Sequence, residues 1–128
     1  MSDDVIDYLG ANIPTNARAP IPDAVEGGGM IFTVQVPVEA DGSYVEGRIE
    51  VQTRAVLSSL RNTLKSIDAK LEKIMHITVY LVDISDWDGM NAVWQEFFYD
   101  RSPSRVTIEV GALADPRMRI EIVAQVLR

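Results

Sequence analysis

Two charged residues in predicted strands are the candidates for chemistry. Arg105 begins the strand of SPSRVTIEVGAL (102–113), where apolar and polar residues alternate and predict one apolar and one polar face. Glu121 stands between two isoleucines in MRIEIVAQVL, inside the last predicted strand. A guanidinium matches a carboxylate bidentately, and a carboxylate in a central strand must face water, a partner or a pocket. Anion binding and proton transfer are therefore possible, although both residues also suit an ordinary solvated strand face.

The other candidate motifs favour structural roles. His76 is the only histidine, and no nucleophile or further set of ligands accompanies it in the sequence. The triplet Gly27 to Gly29 precedes a strand rather than a helix, so it predicts a turn and not a phosphate loop. Two acidic pairs lie at 3–4, near the terminus, and at 86/88, where a helix N-terminus favours negative charge. We therefore expect no metal and no cofactor.

Composition narrows the classes of partner. The 128 residues carry a net charge of −7, which argues against a nucleic-acid partner because phosphate contacts need clustered Lys and Arg. There is no cysteine, so disulfide and thiolate chemistry are absent. The acidic start resembles no signal peptide, and no stretch approaches the roughly 20 apolar residues of a membrane span. The expectation is a soluble, cytoplasmic protein.

Hydrophobic periodicity predicts a single domain over 1–128 with an irregular lead-in over 1–17. One short strand is predicted near 8–13, and further strands at 30–36, 74–82, 105–110 and 119–127. A stripe from Ile49 to Ile67 predicts an amphipathic helix, with Gln52 on its solvated face. Ser85 and Asp88 have capping-box spacing ahead of a second helix. This order predicts an α+β fold in which two helices cover one face of a mixed sheet.

An ordered set of segments resembles one protein family. PSRVTIEVGAL followed by RIEIVAQ is similar to the C-terminal signature of the reactive intermediate deaminase family, the RidA/YjgF/L-PSP group. EVQTRAVLSSLRNTL resembles its first helix, and IMHITVYLVDISDWDGMNAVWQEFF its strand and second helix. IFTVQVP resembles the family's FVSGQIP segment, and the likeness covers about residues 18 to 127.

The resemblance implies a chorismate-mutase-like fold and a homotrimer with sites in the clefts between subunits. Family members hydrolyse 2-imino and 2-enamino acids to 2-keto acids and ammonia without metal or cofactor. By this likeness Arg105 binds the substrate carboxylate and Glu121 is the catalytic acid/base. Asn91 and Arg105 are expected on opposite sides of the cleft.

Four positions depart from the family pattern around the expected pocket. Ile21 stands where many members have tyrosine, Thr33 and Val34 replace a Ser-Gly pair, and Thr107 replaces a frequent cysteine. All four are expected to bind substrate, together with Arg105 and Asn91. Because the lining becomes more apolar, imines derived from leucine or methionine are expected to react faster than the imine derived from alanine.

Two alternatives stay open. The same scaffold could deaminate an aminomuconate-like or aminoacrylate-like intermediate of one pathway, using the same arginine and glutamate. The second alternative is a trimeric protein that binds a small carboxylate without turnover, although binding alone would not need Glu121. Ribonuclease activity, attributed to some relatives, is disfavoured by the acidic charge and the lack of a histidine pair.

Overall fold

The fold is a six-stranded sheet with two helices. A computed structural model describes residues 5–10 and 20–128. Its strands are β1 (Ile6–Leu9), β2 (Ala24–Gly27), β3 (Met30–Gln35), β4 (Ile74–Leu81), β5 (Ser104–Glu109) and β6 (Ile120–Leu127). Its helices are α1 (Ile49–Ser66) and α2 (Trp87–Phe98). Short 3₁₀ turns at Leu71–Lys73 and Ile84–Asp86 precede β4 and α2.

The strand order is β1-β2-β3-β6-β4-β5, which makes β5 an edge strand. β4 and β5 are parallel, and every other described pairing is antiparallel. The parallel pair is joined through α2, as a parallel connection requires. The predicted mixed sheet is confirmed.

Both helices cover the same face of the sheet, as predicted. Alternate residues of the central strands, such as Ile77, Ile122 and Ala124, are fully buried against the helices. The α1 stripe supplies Val56, Leu57, Leu60 and Leu64 to the same core. No described element covers the opposite face, which we call the open face, and its residues Phe32, Val34, Val106 and Ile108 are exposed.

The N-terminal part differs from the predicted one. β1 lies at Ile6–Leu9 rather than near 8–13. Gly10, with positive φ, follows the strand, and residues 11–13 lie outside the described residues. β2 was not predicted, because four residues between a proline and a glycine turn carry too little periodicity. The predicted glycine turn is confirmed: Gly28 and Gly29 both have positive φ and join β2 to β3.

Two local predictions about the helices are wrong. The Ser85–Asp88 capping box does not form, because Asp83 instead accepts the backbone N–H of Ser85 and starts the 3₁₀ turn before α2. Gln52 is only 1% exposed although it was assigned to the solvated face. Its amide donates to the Arg117 carbonyl and accepts from the Arg119 N–H, so it bonds backbone that leads into β6.

We expect Gly89→Ala to destabilise the protein by about 1–3 kcal/mol, despite the better helix propensity of alanine. A Cβ on Gly89 would lie 2.7 Å from Cγ2 of Ile49, a buried, β-branched residue at the start of α1. Urea denaturation monitored by circular dichroism measures the change. Gly111→Ala is the control, since a Cβ there meets open space; equal stability of both variants would contradict this account.

Candidate active site

Arg105 points to the helix-covered side of the sheet. It pairs in parallel register with Ile77 of β4, whose side chain is fully buried under the helices. The alternation predicted for β5 is therefore real, but its apolar residues face outwards: Val106 is 43% and Ile108 41% exposed. The reason is the position of β5 at the sheet edge, where its polar side meets the flank of α2 and its apolar side joins the open face.

An aromatic ring supports the guanidinium of Arg105. Its Cζ lies 4.8 Å from the centroid of the Trp94 ring on α2. No described carboxylate pairs with Arg105, and burial lowers the pKa of its guanidinium from the usual value. A half-buried cation with an aromatic partner and no acidic one is suited to bind an anion.

We use the word groove for the side of β5 that faces α2, where Thr107 and the Trp94 ring lie with Arg105. Thr107 follows Arg105 on the same side of β5, and its buried hydroxyl makes no hydrogen bond to any described residue. Asn91 is half-buried and lies one helical turn before Trp94, on the same side of α2. Within one chain the groove therefore contains Arg105 and Thr107, and Asn91 lies on the side of α2 that carries Trp94.

Glu121 points the other way, to the open face. It lies beside Tyr80 of β4 in antiparallel register, between two isoleucines that are buried on the helix side. Burial raises the pKa of the Glu121 carboxyl, and no described cation or donor offsets that effect. A carboxyl group with a raised pKa can exchange protons closer to neutral pH than an ordinary glutamate.

The two central candidates therefore lie on opposite faces of one sheet. Arg105 and Glu121 are separated by two strand spacings, because β4 lies between β5 and β6. They are also separated by the thickness of the sheet, because they point to opposite faces. A single copy of the chain cannot bring both side chains to one small molecule. If they act together, they must come from different copies.

Comparison with known proteins gives the family. The model of the family described as Endoribonuclease L-PSP matches residues 13–127. The mitochondrial protein mmf2 of Schizosaccharomyces pombe is 35% identical over 108 residues, covering 80% of this chain and 86% of its own. The chain belongs to the RidA/YjgF/L-PSP family.

Two further relatives connect this family to a fold and to a named activity. The crystal structure of the YjgF gene product from E. coli superposes with a TM-score of 0.79 at 29% identity, covering 88% of this chain and 91% of that one. Reactive Intermediate Deaminase A, chloroplastic, of Arabidopsis thaliana is 28% identical, covering 84% of this chain and 59% of its own. The α+β fold expected from the resemblance is confirmed.

Three other positions expected from the family pattern lie apart from the groove, namely Val34, Thr33 and Ile21. Val34 is on the open face, opposite Val123 and thus near Glu121. Thr33 is 3% exposed beneath α1, where its hydroxyl donates to the Asp23 carbonyl and accepts from Gln35. Thr33 thus contributes to the core, and it lies neither in the groove nor on the open face beside Glu121.

Ile21 lies on the far side of the sheet. It precedes β2 and is 47% exposed. Four strand spacings separate β2 from β5, roughly 19 Å. Within one RidA-type subunit Ile21 therefore cannot contact a molecule bound at Arg105, and its place in a pocket depends on a second copy.

The expected position of Asn91 concerns a second copy of the chain. The family resemblance places Asn91 across an intersubunit cleft from Arg105, and this stays a prediction; within one chain Asn91 is half-buried on α2, one helical turn before the Trp94 ring that contacts Arg105. Glu121, on the open face, is the residue that lies across the sheet.

Sequence reasoning missed the role of Trp94 in the groove. Trp94 was assigned to the apolar stripe of α2 and is indeed buried, but its ring also contacts Arg105. Its indole N–H donates to the Ser102 hydroxyl at 3.0 Å. A tryptophan within a helical stripe signals only packing, so the sequence held no sign of this contact.

His76 has the structural surroundings expected of it. Its Nδ1 is 3.1 Å from the Ser104 hydroxyl and its Nε2 is 3.2 Å from the Thr78 hydroxyl. No described carboxylate orients the ring.

Among the described helices, none is long and apolar enough to cross a membrane.

Proposed function

We propose that this protein is a hydrolytic deaminase of 2-imino and 2-enamino acids that acts as a homotrimer. Each site would combine Arg105 of one copy with Glu121 of another. The observation that carries the proposal is the pair of unpartnered ionic groups on opposite faces, one half-buried cation and one carboxyl with a raised pKa. Family membership and the name of the Arabidopsis relative support the reaction class.

The apolar open face supports assembly from several copies. Phe32, Val34, Val106 and Ile108 on this face are each more than two-fifths exposed. Exposed strands with this many large apolar residues indicate a protein interface. Covering this face would also enclose Glu121, and contact at the edge strand β5 would bring a neighbour to the Arg105 groove. The cyclic symmetry of a trimer would repeat the same composite site at each interface.

The chemistry requires a carboxylate-binding group and one proton carrier. Arg105 would hold the substrate carboxylate while the Glu121 carboxylate takes a proton from water, whose oxygen attacks the imine carbon. The imine nitrogen receives that proton, which gives a neutral carbinolamine. Glu121 then takes the proton of the new hydroxyl group and passes it to nitrogen as the C–N bond breaks, so ammonia leaves, the C=O bond of the 2-keto acid forms and Glu121 is a carboxylate again. An enamine substrate first tautomerises to the imine, gaining a proton on its β-carbon and losing one from nitrogen. Such general acid/base catalysis contributes roughly 10²–10⁴-fold.

Mixing two impaired variants, at a substrate concentration far below KM, tests whether the site is composite. Arg105→Lys and Glu121→Gln chains are unfolded together in equal amounts, refolded, and assayed for ammonia release from a 2-imino acid. One composite site in about four would then hold both native residues, so about a quarter of wild-type activity should return. Light scattering reports the trimer mass. A mixture no more active than its components, or a monomer mass at micromolar concentration, would contradict the composite site.

A panel of imines generated by an amino-acid oxidase tests the substrate class. We expect the protein to accelerate release of ammonia from 2-imino acids, and imines from leucine or methionine to react faster than that from alanine. The reason is the apolar lining contributed by Val34 on the open face and, from another copy, by Ile21. Carboxylate binding with no acceleration of any imine would favour the non-catalytic alternative.

A further inference from the structure

We infer that Trp94 is a positioning residue that holds the Arg105 guanidinium in place for a carboxylate ligand. The ring lies under the guanidinium, 4.8 Å from its centroid to Cζ. This inference rests on the proposed function only in its ligand class, a small 2-oxo or 2-imino carboxylate. The binding it concerns is measurable without turnover.

The Trp94 ring is itself fixed. It is buried, and its centroid lies 5.0 Å from that of Phe98, with the two rings tilted by 45°. Its indole N–H donates to the Ser102 hydroxyl at 3.0 Å, three residues before Arg105. One side chain therefore supports the guanidinium and also holds the segment that leads into β5.

The support is needed because Arg105 has no other described partner. A free arginine side chain samples many rotamers, and a carboxylate ligand would have to overcome part of that entropy on binding. No described acidic group holds this side chain, so the ring contact is what restricts it before a ligand arrives. A half-buried guanidinium is attracted to the face of the ring, and this attraction favours the rotamer that places it there.

The aromatic face and the indole N–H can be separated by substitution. Trp94→Phe keeps an aromatic face and loses the bond to Ser102, while Trp94→Leu loses both. Ser102→Ala removes the bond and leaves the ring. If the face positions Arg105, the Leu variant should be impaired and the other two should bind nearly as well as the wild type.

α2 offers a matched control. Phe97 also carries an arginine over its ring, with the Arg61 Cζ 5.3 Å from the centroid, outside the groove. Phe97→Leu therefore removes an equivalent contact from the same helix. Any loss shared by Phe97→Leu and Trp94→Leu would come from helix packing rather than from Arg105.

The test is calorimetric binding of 4-methyl-2-oxopentanoate and of the corresponding uncharged amide. We expect Trp94→Leu to weaken carboxylate binding about tenfold, with the amide unaffected and with Trp94→Phe and Phe97→Leu within about threefold of the wild type. Four results would each overturn the inference. They are wild-type affinity in Trp94→Leu, a loss of amide affinity as large as the loss of carboxylate affinity, a loss in Phe97→Leu as large as that in Trp94→Leu, and no binding of the carboxylate by the wild type. Catalysis is scored separately: a wild type that binds the carboxylate but accelerates no imine hydrolysis refutes the proposed deaminase and not the positioning role.

A second measurement uses the wild-type protein and does not depend on the variants folding. The Nε–H proton of Arg105 should resonate upfield of its ordinary position, because the guanidinium Cζ lies over the indole ring, and Arg105→Lys assigns the signal by removing it. Addition of the 2-oxo acid should move this resonance. An unshifted signal would overturn the inference even if Trp94→Leu failed to fold.

Discussion

Replacing Arg105 by lysine is expected to lower kcat/KM for 2-imino acids about a hundredfold while the fold stays intact. Lysine keeps the charge but loses the bidentate donor pair, and it makes a weaker contact with the Trp94 ring. Because the lost contacts hold the carboxylate in the ground state as well as in the transition state, most of the effect should appear as a higher KM. Steady-state ammonia release measures it.

Arg61→Lys is the matched control for this variant. Arg61 also lies over an aromatic ring of α2, Phe97, but at the exposed surface outside the groove. It should keep the wild-type kcat/KM and the wild-type melting temperature. A similar loss in both variants would show that the effect comes from replacing a guanidinium over an aromatic ring of α2 and not from carboxylate binding.

Replacing Glu121 by glutamine is expected to lower kcat about 10²–10⁴-fold with little change in KM. The amide preserves the shape of the side chain but cannot take a proton from water. In the wild type, kcat/KM should fall with decreasing pH through the raised pKa of Glu121, because the reaction needs the carboxylate form. A Gln variant that turns over at the wild-type rate would remove Glu121 from the mechanism.

The same variant should be more stable than the wild type at neutral pH. Burial raises the pKa of Glu121 in the folded state above that of a glutamate in the unfolded chain. Above the folded-state pKa the ionised carboxylate lowers the free energy of unfolding, and below the unfolded-state pKa the protonated group has no such effect. The free energy of unfolding of the wild type therefore falls as pH rises through this range. Chemical denaturation should give Glu121→Gln an advantage near about pH 7 that vanishes near about pH 3.

Glu96→Gln is the control for both measurements. Glu96 is exposed on α2 and pairs with Arg54 at 3.4 Å. A surface ion pair of this kind contributes about 0–1 kcal/mol, so activity should be unchanged and no stabilisation should appear. Greater stability of Glu96→Gln at neutral pH would mean that relief of the overall negative charge, and not of burial at Glu121, explains the effect.

The sequence alone determined both helices and the later strands, and it marked the two central residues as candidates for chemistry. The stripe of α1 and the dense apolar pattern of β4 are local signals, because each element's period is set by its own backbone geometry. Arg105 and Glu121 were recognised from residue type and neighbours, and the resemblance to one family rested on ordered segments. These features can be inferred without knowing which helices and strands pack against each other.

Only the tertiary structure decided which way the side chains point. A period of two defines two faces but does not say which one meets the helices, and for β5 that depends on its parallel pairing with β4. The pairing turns Arg105 towards Trp94, while the antiparallel pairing of β6 turns Glu121 to the open face. Gln52 likewise became a core residue because the backbone before β6 passes beside α1 and needs its hydrogen bonds. These positions depend on contacts between residues that are distant in sequence, which a local pattern does not contain.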